Sequence, residues 1–237
     1  MGRIAKAYRA RFCALLRGVR ARKLDLALVW LSRQAQQICD TDKVSVEAAL
    51  TRVVERIRLR LEAWQARRGP SPAPEVTTAS PTARRFYCDA GLGGLARWLR
   101  AAGYEADWQP HIADDVLLAE ERRLGATLLT TDSLLMERRL LRDGLIPALW
   151  LPPTLRAPDQ LAQVLRELHL PLLAPRCMNC GGPLQRVDKE VLRERIPPRT
   201  YRWLDDYFLC QRCDQLFWHG THWLRIRERL REARRSG

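Results

Sequence analysis

An α/β protein built on a parallel sheet, with a helical segment before it and a small metal-stapled module after it, follows from three features of this chain. Residues 84–172 alternate short apolar runs with amphipathic stretches of helical length. That spacing is typical of βαβ units, whose strands run parallel. Residues 3–38 and 43–67 read as helices. Near the C-terminus stand two Cys-x-x-Cys steps, Cys177–Cys180 and Cys210–Cys213, with 29 residues between them. Two such steps close four thiolates around one tetrahedral ion, and Zn²⁺ is the usual guest.

In the second helix Val46, Leu50, Val53, Ile57, Leu61 and Trp64 recur at helical spacing, with Asp42 as the expected N-cap and Gly69-Pro70 as the stop. Arg52, Arg56, Arg60 and Arg67 share the opposite face. A helical hairpin or small bundle with one basic side follows. That side binds RNA or a partner protein, or is simply solvated. Residues 70–83 form a Pro-rich linker, extended and without regular structure. Strands are expected at 85–89, 104–108, 126–131 and 145–151. Helices are expected at 92–102, 113–124, 133–142 and 158–168, several closed by a glycine. The cysteine module fills 173–237 and ends in a basic helical tail from 223 to 235. The expected domains are thus 1–69, 84–172 and 173–237 around the 70–83 linker. No internal repeat is visible.

The 41 Lys and Arg outnumber the 27 Asp and Glu, for a net charge of +14. A polyanionic partner is the simplest match, and nucleic acid the simplest polyanion; many solvated arginines are the alternative. The charge is uneven: residues 1–69 hold 16 basic against 6 acidic groups, 84–175 hold 11 against 12, and 176–237 hold 14 against 8. A near-neutral centre that keeps its carboxylates sits between flanks that attract phosphate. Seven cysteines, an odd number, with no secretory leader point to a reducing, cytoplasmic setting. The first 23 residues carry eight basic groups and no acid, as a mitochondrial leader does. The helical pattern, however, runs on without a cleavage-like break. No apolar run reaches the ~18 residues a membrane span needs.

Acidic residues stand where an open α/β sheet builds its sites, at the carboxyl ends of strands. Asp89 ends the first strand, Asp132 ends the third, and Asp114 and Asp115 open the second helix. Carboxylates converging there repel one another unless a cation lies among them. Mg²⁺ or Mn²⁺ suits oxygen ligands and activates water for attack at phosphorus. Each acid also has a plainer reading as a helix cap. Asp89 is the least easily read so, because Gly91, Gly93 and Gly94 follow it and let backbone approach a ligand.

The run 86–100, Phe-Tyr-Cys-Asp-Ala-Gly-Leu-Gly-Gly-Leu-Ala-Arg-Trp-Leu-Arg, is followed by Gly-Tyr at 103–104, Ala-Asp-Asp-Val-Leu-Leu at 113–118 and Leu-Leu-Thr-Thr-Asp-Ser-Leu-Leu at 128–135. Then come the cysteine steps, Val-Asp-Lys-Glu at 187–190, Pro-Pro-Arg-Thr-Tyr at 197–201 and Phe-Trp-His-Gly-Thr-His-Trp at 217–223. In this order they resemble the PIN-like RNase domain with a C-terminal zinc ribbon, the family named after the C-terminal part of a mutator exonuclease. The resemblance covers 85–227. It implies a PIN-type sheet, metal-dependent RNA cleavage, and catalytic acids at Asp89, Asp115 and Asp132. A fourth acid is often present in such sites; Glu137 is the candidate, then Asp143, with a surface salt bridge as the alternative for both. Thr131 stands where the family often has a basic residue. Residues 1–80 lie outside the resemblance.

Arg97 and Arg100, on the helix after Asp89, are candidates to reach phosphate or to form a solvated face. His222 and Trp223 either pack on the ribbon or meet RNA. Trp203, Tyr207, Phe208, Phe217, Trp218 and Trp223 are dense for so small a module; they form its core, with one or two left to stack bases. His219 and His222 could replace a zinc ligand, but four thiolates suffice. His111 is read as structural. The expected function is a metal-dependent ribonuclease with structural zinc. The alternatives are a non-catalytic RNA- or ribosome-binding protein, and a PIN-type toxin docking its antitoxin through the N-terminal helices.

Overall fold

The computed structural model describes residues 24–68 and 84–235 together with seven positions between 8 and 16. The 70–83 linker and most of the first predicted helix before Leu24 lie outside the described residues. In chain order the elements are α1 (Leu24–Asp42), α2 (Val46–Arg68), β1 (Arg85–Cys88), α3 (Gly93–Ala101), β2 (Glu105–Trp108), α4 (Asp114–Leu124), β3 (Thr127–Thr130), α5 (Arg139–Arg142) and β4 (Ala148–Trp150). There follow α6 (Ala157–Glu167), β5 (Leu184–Val187), α7 (Pro198–Trp203), β6 (Tyr207–Cys210), β7 (Leu216–Trp218) and α8 (Thr221–Arg235). The chain is mixed α/β, with parallel strand pairs and flanking helices. By residue contacts it divides into two units, 1–78 with 127–150, and 79–126 with 151–237. Among the described residues no helix is long and apolar enough to cross a membrane.

In the first unit α1 and α2 bury a core of their own, in which Tyr8, Phe12, Leu16, Leu31, Leu50 and Val53 take part. The Tyr8 hydroxyl meets Thr51 Oγ1 at 2.8 Å. The expected N-cap is corrected. α1 runs on to Asp42, past the expected end at 38, and Lys43 turns left-handed at φ 50°. The next helix restarts only at Val46, so the cap falls to Ser45, whose Oγ accepts from Ala48 N at 3.2 Å. Asp42 instead takes the Arg52 guanidinium at 2.6 Å. Val46, read as part of the apolar stripe, is exposed in the first turn. Arg52, Arg56 and Arg60 are exposed, as expected. The side chains of Leu61, Trp64 and Arg67 lie outside the description.

The same unit holds the parallel pair β3–β4, with Leu128 opposite Ala148 and Thr130 opposite Trp150. The single helix expected at 133–142 is a second correction. A 3₁₀ turn, Leu135–Glu137, is separated from the short α5 by Arg138, which is extended at φ −55°, ψ 136°. Breaking there lets Leu135, Met136 and Leu141 all be buried. Glu137 therefore is the exposed last residue of a 3₁₀ turn instead of sitting inside a continuous helix.

In the second unit β1 and β2 pair in parallel from Arg85 opposite Glu105 to Cys88 opposite Trp108. Phe86, Tyr87 and Cys88 are all buried, as strands covered on both faces are. A 3₁₀ turn, Ala90–Leu92, precedes α3, so the helix begins one residue later than the expected 92. Gly93 packs under the Trp108 indole, where a Cβ would lie 2.7 Å from ring carbons. α6 packs on both α3 and α8.

The last strands form an antiparallel sheet in the order β5-β6-β7 around Leu192, Ile196, Tyr207 and Leu216. This module is bonded to α3 and β2 across the expected 172/173 boundary. Leu173 N donates to Ala102 O, and Arg176 N to Arg100 O, both at 2.9 Å. Arg176 Nη2 also crosses that boundary, donating to Glu105 Oε1 of β2, while on the near side the Tyr104 hydroxyl donates to Pro171 O at 2.6 Å.

Glu121 of α4 is 1% exposed, and its Oε2 has no hydrogen-bond partner. Burial pushes its carboxyl up to about 7 from an ordinary 4.5. Between these values the folded protein holds a proton that the unfolded chain releases, so stability falls as pH rises through that window. Wild type should therefore lose on the order of 2–3 kcal/mol between pH 5 and 7.5 through this group. Glu121→Gln should keep that stability in urea unfolding at the two pH values. An unchanged pH slope in the variant would contradict this account.

Candidate metal centre and acidic residues

The two cysteine turns are built alike. Cys177 O accepts from Gly181 N at 2.8 Å, and Cys210 O accepts from Asp214 N at 3.0 Å. Gly181 and Asp214 are both left-handed, at φ 77° and 56°. Beyond them the chain doubles back, so that Cys177 N donates to Gly182 O and Cys210 N to Gln215 O. Each turn thus presents two thiols on one side of a tight loop. Gly182 is required where the loops meet, since a Cβ would come 2.8 Å from Arg212 Cβ and 2.9 Å from Cys210 Sγ.

The four sulfurs all lie within 4.8 Å of one another. Cys177 Sγ is 3.6 Å from Cys213 Sγ, and Cys180 Sγ is 3.4 Å from Cys210 Sγ. A tetrahedron of Zn–S bonds near 2.3 Å has edges of about 3.8 Å, so the donor set and its spacing fit Zn²⁺. Four thiolates would leave no open coordination position, so an ion held there would be structural. Backbone N–H groups of Gly182 and Arg212 approach Cys180 and Cys210 Sγ, each at 3.4 Å. Burial pushes the Cys177 thiol up to about 12. At Cys210 burial acts the same way, but bonds from the backbone of Cys213 and Arg212 outweigh it and bring the thiol down to about 7. Metal binding at this site therefore releases protons and weakens in acid.

Arg100 is the clearest correction among the expected site residues. Expected to reach phosphate or solvent, it is 6% exposed. Its Nε donates to Ala106 O at 2.8 Å, and its Nη1 to Asn179 O at 2.7 Å and Met178 O at 3.2 Å. The last two carbonyls lie between Cys177 and Cys180. A guanidinium committed to three carbonyls does not bind RNA. Arg176, which the sequence reading passed over, completes the tie. Its Nε donates to Gly181 O and its Nη2 to Glu105 Oε1, both at 2.8 Å. Its only sequence signal is its place just before Cys177. Arg97 is exposed on α3, and His222 is exposed in the first turn of α8. Trp223 is half-buried and stacks on His219, centroids 5.6 Å apart.

The acids are placed as follows. Asp89 directly follows β1 and is 8% exposed. Its Oδ1 accepts from Gly91 N at 3.1 Å, and the loop is held by Trp108 Nε1, which donates to Ala90 O at 3.0 Å. Asp132 comes two residues after β3 and is exposed. Its N donates to Thr130 Oγ1 at 2.9 Å, and its Oδ1 accepts from Leu134 N at 2.7 Å. Thr131 between them offers its carbonyl to Trp150 Nε1 at 3.1 Å. Asp114 and Asp115 occupy the first turn of α4, whose N-cap is Ala113, without a side-chain cap bond. Neither is the cap; both sit at the positive end of the helix dipole. Asp143 pairs with Arg142 at 3.1 Å, a surface salt bridge. Asp107, another residue the sequence reading did not weigh, holds Arg85 Nε at 2.7 Å.

A family model described as Mut7-C RNAse domain matches residues 84–230, well over half of the chain. The matched stretch contains Asp89, Asp114, Asp115, Asp132, Glu137 and all four zinc-type cysteines. No curated protein and no solved structure matches the chain.

Two outcomes follow from the geometry. Purified protein should carry one zinc per chain by elemental analysis, and Cys210→Ser should lose it. Arg100→Met leaves Ala106 O and two knuckle carbonyls without their donor and should cost at least about 1.5–3 kcal/mol, the range for a hydrogen bond to a charged group. It should also speed zinc loss to a chromogenic chelator while leaving the salt dependence of RNA binding unchanged. A changed salt slope with normal zinc retention would return Arg100 to the RNA surface.

Proposed function

Because the chain belongs to the Mut7-C RNAse domain family, we propose that it is a divalent-metal-dependent ribonuclease whose catalytic acids are Asp89, Asp115 and Asp132. The observation that carries this reading is the family match across 84–230, which spans every one of these acids. The position of Asp89 supports it: a nearly buried carboxylate just after a strand whose last three residues are buried, on a loop fixed by Trp108. The oxygen donors suit a hard ion. These acids would hold Mg²⁺ or Mn²⁺, which would supply a Lewis acid for the phosphoryl oxygen and a water of lowered pKa. The carboxylates hold and orient that water, and Asp114 and Glu137 stand nearby in sequence as further acids.

The fold is read as PIN-like and the cysteine module as a zinc ribbon that forms one wall of the RNA groove. RNA as partner is supported by the net charge of +14. An odd number of cysteines, seven, fits a reducing compartment such as the cytoplasm. The exposed arginine face of α2 is proposed as a protein-docking or RNA-affinity surface.

Asp89→Asn, Asp115→Asn and Asp132→Asn should each slow cleavage of labelled RNA by roughly a hundredfold or more, since several kcal/mol of charge stabilisation rest on the metal. RNA affinity without divalent ions should be unchanged. Wild-type cleavage by Asp89→Asn would remove this mechanism. Tight, salt-sensitive binding with no cleavage by wild type would favour the non-catalytic RNA-binding reading.

A further inference from the structure

The C-terminal module holds a cavity of about 450 Å³ used by neither the thiols nor the acids. Among its lining residues are Phe208, Trp218, His219 and Trp223, with Arg176 and His222. The volume lies within the roughly 300–1,000 Å³ of pockets that hold small ligands, and an apolar lining with few polar groups is their usual composition. The four rings remain partly exposed. Three of them make a continuous run. Phe208 and His219 have centroids 4.8 Å apart, and His219 and Trp223 lie nearly parallel at 11°.

This run is held in place from several sides. His219 Nδ1 lies 3.7 Å from Asp206 Oδ2, and Asp206 is itself gripped by Arg186 at 2.6 Å. Gly220 lies against Trp218 so closely that a Cβ would stand 3.1 Å from its ring. Strand alternation explains why the rings are available: on β6 Tyr207 enters the module's core, while its neighbour Phe208 lines the cavity.

We propose that this cavity is a nucleobase site that takes one unstacked base of single-stranded RNA; the identity of the polymer rests on the ribonuclease reading above. A base offers the flat π-face that such rings bind, whatever its sequence. A duplex keeps its bases stacked and offers no free face, whereas single strands splay theirs out. Charge selects the rest of the ligand. The helix whose first turn lines the cavity, α8, exposes Arg225, Arg227, Arg229, Arg231, Arg234 and Arg235 against two glutamates. A phosphate backbone leaving the cavity along α8 would meet these arginines. An apolar peptide side chain would fill the same rings but gain nothing from them. His222 offers ring nitrogens to the base edge.

The test is fluorescence anisotropy on the full chain, without added divalent ions, using a labelled 12-nucleotide adenosine strand and an abasic strand of the same length. Wild type should bind the adenosine strand about tenfold or more tighter than the abasic one. Trp223→Leu and His219→Leu should remove most of that difference and leave abasic binding and the salt slope unchanged. A 2-aminopurine in the strand should be quenched on binding wild type and less so on binding Trp223→Leu. Equal wild-type affinity for intact and abasic strands, or unquenched 2-aminopurine, overturns the proposal, and neither result needs a variant to fold. Cleavage enters neither readout. An inactive protein with base-dependent affinity would keep this site and lose only the nuclease reading.

Discussion

The second unit depends on one buried guanidinium. Arg100 stands at the end of α3, the helix that begins just after the Asp89 loop, and it donates to β2 and to the first cysteine turn at once. Burial pulls its pKa down from the ordinary arginine value, yet an arginine stays charged in a protein. A charge this deep is tolerated only because carbonyl oxygens take its protons. Remove the cysteine turn and two of those oxygens leave. The metal-type centre and the β1–α3–β2 half therefore share a stabilising contact, and Arg176 doubles it through Glu105 and Gly181. In this arrangement the thiol centre is tied to the C-terminal end of the helix that follows the Asp89 loop.

That coupling sits beside a second feature of the four-cysteine module, since Arg176 and Met178 of the tie also line the cavity. The module's turns clamp the α/β half, while β6 and the start of α8 carry the aromatic cavity. A small module whose core of four main residues already includes Tyr207 leaves the other five large aromatics at least partly exposed. Those that remain half-exposed are the ones for which a ligand is the natural counterpart. Basic charge on α8 then sets the sign of that ligand.

Much of this was legible in the sequence, and the failures share a physical cause. β1 to β4 were found to within a few residues because largely buried strands read as apolar runs bounded by turn residues, whereas β5, β6 and β7 were not placed. The thiol site was legible because Cys-x-x-Cys encodes its geometry locally, down to the left-handed residue after each step. The helix expected at 133–142 breaks at Arg138, where burial of Leu135, Met136 and Leu141 overrides helical spacing. The cap moved from Asp42 to Ser45 because a left-handed Lys43 shifted the helix start. Arg100 was misread because its partners lie 78 and 79 residues away. Periodicity shows which face a residue takes, not what a distant loop brings to it. The acids at 89, 115 and 132 were visible only as candidates, by position and by family resemblance. Their local hydrogen bonds, and the role of Trp108 in fixing the Asp89 loop, were not.

The central claim is that RNA is cut with the help of a divalent ion held by carboxylates. It is tested most directly by cleavage of labelled single-stranded and structured RNA by zinc-loaded wild-type protein. The buffer should be depleted of divalent ions by resin, so that no chelator strips the thiol site, and then supplemented with Mg²⁺ or Mn²⁺. The account predicts no cleavage before supplementation, saturable cleavage after it, and unchanged zinc content throughout. Cleavage at full rate in the depleted buffer, or none at any Mg²⁺ or Mn²⁺ concentration, would contradict it.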